Sequence, residues 1–259
     1  YRHFRGPDGR PRNVARLPGE GPTWLSGLLV LPDRTGRNRL VAAYAKIRAP
    51  LSVYETGLCA WDEASGNFEP VSVIWRELDA GLRPPPLPEG HAFTAADASG
   101  ETWAYFGNPL PLLRCRATFE DWRDPAKWER LEAPATLPAA EGGKPVKLHG
   151  GSMAWHPWRK RWVTIFTQAG GEGSFLGDIW YAEAAAPRGP WGPAVRVLRH
   201  ENYTFYNPRI HAAWCDAASP VLIFEGTFTR EFADRPPAVP RHDYNQVMYR
   251  LDLDGAGLA

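Results

Sequence analysis

Four times along its length this chain repeats one pattern: an apolar strand, a tight polar turn, and a second strand rich in aromatic and β-branched residues. The copies are SGLLVLPDRTGRNRLVAAYAK (26–46), HAFTAADASGETWAYFGN (91–108), GSMAWHPWRKRWVTIFTQ (151–168) and RIHAAWCDAASPVLIFEGTFT (209–229). Their turns, near Asp33, Asp97, His156 and Asp216, recur at intervals of about 60 residues, and each has the Asp, Gly, Pro or Ser that a hairpin needs.

A third strand follows each hairpin: GLCAWD (57–62), LLRCRAT (112–118), IWYAEA (179–184) and VMYRLDL (247–253). After the first three come outer-edge segments marked by aromatics, NFEPVSVIW, WRDPAKWERL and GPWGPAVRVL. Antiparallel strands recurring in this way predict an all-β chain, a β-propeller with blade-like repeats over about 22–78, 88–133, 149–199 and 204–254. One propeller domain over 1–259 is expected, of a five-bladed type with the first blade incomplete or truncated. The 26 prolines and 12 tryptophans suit many loops joined by aromatic strands, because proline cannot donate to an interior ladder. The nearest helical candidate, FEDWRDPAKWERL, is interrupted by Pro125 and reads as a turn and an edge strand. The fourth repeat stops after its third strand. Either the N-terminal stretch, Tyr1 to Leu17, supplies the missing outer strand, or a fifth blade lies outside this sequence.

Several classes are disfavoured. Thirty basic residues against 29 acidic ones give a net charge of +1, with no electrostatic case for nucleic acid or an anionic membrane surface. No apolar run approaches the roughly 18–20 residues that span a bilayer. Cys59, Cys115 and Cys215 are far apart, odd in number and without zinc-like spacing, which reads as buried free thiols in strands. No metal or other cofactor is expected. Tyr1 in place of a starting Met is read as the trace of a removed leader or longer N-terminal segment, although no signal peptide is visible. The compartment is left open, with a secreted or periplasmic location as the working expectation.

Propeller geometry turns strand ends into a site. The start of a blade's first strand, the end of its second and the start of its third share one mouth. First-strand starts offer Trp24, His91, His149, Tyr206, Asn207 and His211; second-strand ends offer Lys46, Asn108, Gln168 and Glu225; third-strand starts offer Glu55, Asp178, Arg241, Asp243, Tyr244 and Asn245. Aromatic rings beside amides, imidazoles and carboxylates suit a carbohydrate, whose C–H faces stack while its hydroxyls hydrogen-bond. Glycoside hydrolysis also needs two carboxylates across the scissile bond.

Two runs, RWVTIFTQ…FLGDIWYAEAAAPRGPW (161–191) and YNPRIH…LIFEGTFT…PRHDYNQVMYRLDL (206–253), make the chain similar to the five-bladed glycosidase-type propeller superfamily, which includes furanosidases. The likeness covers the C-terminal hundred residues, and the first 150 only through the blade pattern. It implies an active site in a central funnel with three carboxylates: a base or nucleophile, a general acid and a helper. The superfamily's usual first-blade Asp has no match, because Asp8 and Asp33 sit in turns.

The reading carried forward is a glycoside-hydrolase-like propeller with a carbohydrate ligand. Glu225 is its general acid and Asp178 or Asp243 its base or helper. Trp24, Glu55, His91, His149, Gln168, Tyr206, Asn207, His211, Arg241, Tyr244 and Asn245 are the substrate-binding set. Each has a plainer alternative: Glu225 in an ion pair with Arg241, Asp178 ending a turn after the glycine-rich loop AGGEGSFLG, the histidines hydrogen-bonded within the fold. The rival functions are a non-catalytic sugar-binding or scaffold propeller and, third, a protein-interaction propeller. Oligomeric state is not readable.

Overall fold

The computed structural model describes residues 3–77, 85–233 and 243–255. Four antiparallel sheets are present among them, and their strands follow chain order across each sheet. The first contains β1 (Thr23–Pro32), β2 (Asn38–Arg48), β3 (Ser52–Asp62) and β4 (Asn67–Arg76). The second contains β5 (His91–Ala96), β6 (Thr102–Gly107), β7 (Pro111–Arg116) and β8 (Glu129–Arg130). The third runs through β9 (Thr136–Pro138), β10 (Pro145–His156), β11 (Arg161–Gln168), β12 (Asp178–Ala184) and β13 (Val195–Arg199). The fourth has β14 (Thr204–Ile210), β15 (Val221–Thr229) and β16 (Tyr244–Asp252). This is an all-β fold of the propeller class with a repeating blade pattern; the third sheet begins earlier than the 149 read from the sequence, since β9 and the first residues of β10 lie before it. The first sheet carries all four strands; the three-stranded one is the last.

The chain divides into two compact units, Tyr1–Phe106 with Leu113–Arg130, and Gly107–Leu112 with Leu131–Ala259. In the first, Leu31, Val41, Leu58, Phe106, Cys115 and Trp122 are centred in one buried cluster. The second is built on Val163, Ile165, Ile179, Phe205, Leu222 and Phe224. Burial of such side chains, at about 25 cal/mol per Å² of apolar surface, is the main drive for the fold.

The sequence repeat recurs in atomic detail. In the β1–β2 turn Asp33 Oδ1 accepts from Thr35 N (2.9 Å), Thr35 Oγ1 (2.6 Å) and Arg37 N (3.1 Å). In the β5–β6 turn Asp97 Oδ1 accepts from Ser99 N (2.9 Å), Ser99 Oγ (2.6 Å) and Glu101 N (3.1 Å). One carboxylate thus satisfies the tip of each hairpin, with a glycine at positive φ, Gly36 or Gly100, closing it.

Four local expectations change. The segment after β7 makes one helical turn, α1 (Phe119–Trp122), and a 3-10 turn at Pro125–Lys127, leaving only Glu129–Arg130 as edge strand. Thr118 caps α1, and burial of Phe119 and Trp122 makes up for a period too short to read. The N-terminal stretch does not pair with β16 among the described residues; Val14 and Leu17 pack on Ala42, Tyr44, Cys59 and Phe68 of the first sheet. Lys46 secures it there: only 2% exposed, its ammonium donates to Leu17 O, Gly21 O and Thr23 Oγ1. Cys59 and Cys115 are buried in strands as expected, but Cys215 is half-buried beyond β14, next to a 3-10 turn at Ala212–Trp214.

The fourth change concerns the inner strands. Register slips between Ser26 and Leu29 in β1, Leu148 and Gly151 in β10, and Tyr206 and Arg209 in β14. Each slip is a bulge, which bends the strand and re-aims side chains. In β14 the bulge absorbs Asn207 and Pro208, so the strand begins at Thr204 rather than near Arg209.

Candidate functional site

The second unit brings part of the expected set together, and the bulges are the cause. In β10 the bulge presents His149, which is exposed. Its Nδ1 lies 3.2 Å from Thr167 Oγ1. That hydroxyl donates to Gly150 O at 3.1 Å and accepts from Gly150 N at 3.3 Å. With the hydroxyl proton directed to the carbonyl, the network assigns the imidazole proton to Nδ1 and leaves Nε2 a free lone pair. Partial burial of the ring holds its pKa below the ordinary histidine value, which favours the neutral imidazole.

Two amides meet it. Asn108, just past the end of β6, accepts from Gly151 N at 2.7 Å and keeps its NH2 group for other partners. Asn207, at the β14 bulge, adopts φ +51, a left-handed conformation that asparagine tolerates better than most residues. A Cβ built on Gly150 would lie 3.7 Å from Asn108 Oδ1 and 4.0 Å from Asn207 Oδ1. Tyr206 precedes Asn207, with its ring 5.9 Å from that of the exposed Phe232. Gln168, half-buried at the end of β11, is in register with Leu148, next to His149. β10 and β14 are tied beneath this cluster, where Ile210 N donates to the buried Ser152 Oγ at 2.7 Å.

The three candidate catalytic carboxylates are each held separately. Asp178, at the start of β12, has a side chain only 2% exposed, with Arg196 Nη1 3.8 Å away. Burial raises its pKa, and the charges of Arg196 and Arg199 oppose the rise. Its Oδ1 has no hydrogen-bond partner. Asp243, before β16, is partly exposed and pairs with Arg230 at 3.2 Å. Glu225 is in the middle of β15, opposite Arg209 and Met248, because that strand runs on to Thr229. The expectation of a strand-end Glu225 is corrected on that ground. His211 is likewise past the end of β14, not at its start, and its Nε2 is 3.5 Å from Glu225 Oε2 with its ring stacked on Trp214. These two expected residues do meet, but four residues along the chain from Asn207, or about 13 Å at strand rise. Arg241, and with it the expected Glu225–Arg241 pair, lies outside the described residues.

Of the remaining residues, Tyr244 is exposed and Asn245 half-buried at the start of β16. Trp24, Glu55 and His91 belong to the first unit. Trp24 is 53% exposed and His91 is half-buried at the start of β5. Glu55 is engaged, accepting from Tyr44 OH at 2.9 Å and Arg76 Nε at 2.8 Å. Sequence reasoning missed Thr167 and Phe175 altogether. A lone aromatic within the glycine-rich loop AGGEGSFLG was a usable signal for Phe175.

No group of three or more His, Cys, Asp or Glu among the described residues is arranged to hold a metal ion. A recessed space of about 410 Å³ in the first unit is lined by residues that include Arg34, Ser72, Glu120, Arg123 and Lys127, none of them an expected site residue.

No family model and no curated protein matches the sequence. Solved structures do match. An exo-1,5-α-L-arabinanase from a bovine ruminal metagenomic library superposes with a TM-score of 0.50 at 10% identity, covering 91% of this chain and 77% of that one. An endo-1,5-α-L-arabinanase from Thermotoga petrophila RKU-1 gives 0.45 at 14% identity, over 88% of this chain and 57% of the other. The chain therefore shares the β-propeller fold of the exo-arabinanase.

Proposed function

We propose that this chain is a carbohydrate-active propeller, glycoside-hydrolase-like in fold, which seats a glycan residue at the His149–Asn108–Asn207 cluster. One observation carries the reading. Two inner-strand bulges set His149 beside Gly150 and Asn207 off the regular register, and the amides of Asn108 and Asn207 come together at Gly150. A lone pair at His149 Nε2 and two amides supply both acceptors and donors, which is what neighbouring sugar hydroxyls require. The arabinanase with the same fold makes arabino-oligosaccharides the first glycans to try.

In its hydrolytic form the proposal assigns Glu225 as general acid and Asp178 or Asp243 as base or helper. The second reading is sugar binding without hydrolysis. It is favoured by the bulges, which carry imidazole and amide groups, and by the carboxylates, whose neighbours are Arg196, Arg230 and His211. Calorimetric titration against a panel of neutral oligosaccharides, with product analysis on the same mixtures, separates the two. Binding that falls at least tenfold in Asn207→Ala supports the site. Product formation abolished in Glu225→Gln, with binding kept, supports hydrolysis; binding without product supports the second reading. Failure of the native protein to bind any glycan at millimolar concentration sinks the proposal.

A further inference from the structure

Residues 169–177, between β11 and β12, carry two large apolar side chains, Leu176, which is buried, and Phe175, which is exposed. Phe175 is 49% exposed, and its ring stands edge-on to His149 with centroids 6.3 Å apart. Apart from the buried Leu176, the rest of the loop is small or polar. The loop is not slack. Gly170 N and Gly171 N both donate to Phe175 O, at 3.0 and 3.2 Å, and Ser174 Oγ donates to Tyr203 O at 2.6 Å. Leu176 beside it is 1% exposed, and its carbonyl accepts from Phe205 N at 2.9 Å.

Asp178 lies directly under this loop. It takes a hydrogen bond from the Glu172 backbone. A Cβ on Gly171 would come within 2.9 Å of its Oδ2, so loop backbone and carboxylate are in close contact. Glu172 is fastened from outside by Arg199 Nη1 at 3.1 Å.

We propose that Phe175 is the stacking platform of the glycan site, and that Asp178 is a positioning residue that fixes the loop carrying it. This rests on the glycan-binding reading above and names the ligand class: a neutral sugar residue with a continuous C–H face on one side and hydroxyls on its edge. The C–H face lies on the phenyl ring while the edge meets His149 and the two amides. The cluster itself holds two amides, a hydroxyl and a neutral imidazole, which offer no countercharge to a uronate or sulfated sugar.

The test is calorimetric titration of the full chain with neutral trisaccharides and with their uronate counterparts. Phe175→Ala should weaken neutral binding about tenfold, and Phe175→Tyr should restore it. Asp178→Asn should keep the fold, weaken binding by less, and raise hydrogen exchange at the Glu172 amide. Phe175 is on the surface, so its variants report even if Asp178 variants fail to fold. Native affinity in Phe175→Ala, with affinity lost in Asn207→Ala, overturns the platform and leaves the site standing. Equal or tighter uronate binding overturns the ligand class. Failure of the native chain to bind any glycan overturns the underlying site instead.

Discussion

Ser152→Ala probes the join between the two inner strands that position the cluster. Ser152 is 2% exposed in β10, and its Oγ is the acceptor for Ile210 N in β14 at 2.7 Å. Ile210 is itself 6% exposed. Replacing the hydroxyl by hydrogen leaves a buried amide without its acceptor. Stranding a buried donor costs about 1–3 kcal/mol, more than the net value of the bond, because the desolvation penalty is no longer offset. A central value of about 2 kcal/mol corresponds to about 4–8 °C in Tm for a unit of this size. It also corresponds to roughly a thirtyfold shift in an opening equilibrium. Urea denaturation followed by tryptophan fluorescence reads the first effect, and hydrogen exchange at the Ile210 amide the second. Ser65→Ala is the control, since its hydroxyl reaches Glu69 at 2.9 Å on the exposed surface and its loss should stay within about 0.5 kcal/mol. If Ser152→Ala matches Ser65→Ala in stability, or Ile210 keeps its protection, the hydrogen bond is not the tie between β10 and β14.

Three further outcomes are expected. Gly27→Ala and Gly36→Ala both force alanine into positive φ, but a Cβ on Gly27 would be 2.0 Å from Pro88 O while Gly36 faces open space. Gly36→Ala should therefore cost about 1–2 kcal/mol and Gly27→Ala clearly more; equal urea midpoints would refute the steric account. Hydrogen bonds from Ser99, and then Trp103, hold the Asp97 carboxyl below its ordinary pKa, and Thr35 does the same for Asp33. A depressed folded pKa contributes stability that is present above the unfolded value of about 3.9 and lost as pH falls through the folded one. Asp97→Asn should accordingly flatten the acid limb of a stability–pH profile, and an unchanged limb removes Asp97 from it. Burial pushes the Cys59 and Cys115 thiols up to about 12, whereas Cys215 is only half-buried. A thiol-reactive dye at pH 8 should label Cys215 first and the other two only on unfolding.

Much of the architecture was legible from residue spacing alone. Hairpins at Asp33 and Asp97 are local objects: a carboxylate, a hydroxyl two residues on and a glycine contain their own hydrogen-bond partners. Alternating apolar residues then define the strands, since side chains on a strand repeat every two residues. The short α1 was hidden because one turn has no readable period, and tertiary burial of Trp122 sustains it.

The site was legible only as a list of residue types at strand ends. The sequence by itself determined the repeat, the turns, the buried thiols of Cys59 and Cys115 and the polar-aromatic character of the strand-one starts. Tertiary structure decided which of those residues meet. Bulges in β10 and β14 took His149 and Asn207 off the regular register, Asn207 met Asn108 beside Gly150, and the pairing of β14 with β15 set Glu225 opposite Arg209 and near His211. A one-residue shift in register reverses every side chain on a strand, and nothing within the strand announces it. Register is settled by the neighbouring strand, so convergence at the site was beyond the reach of local sequence.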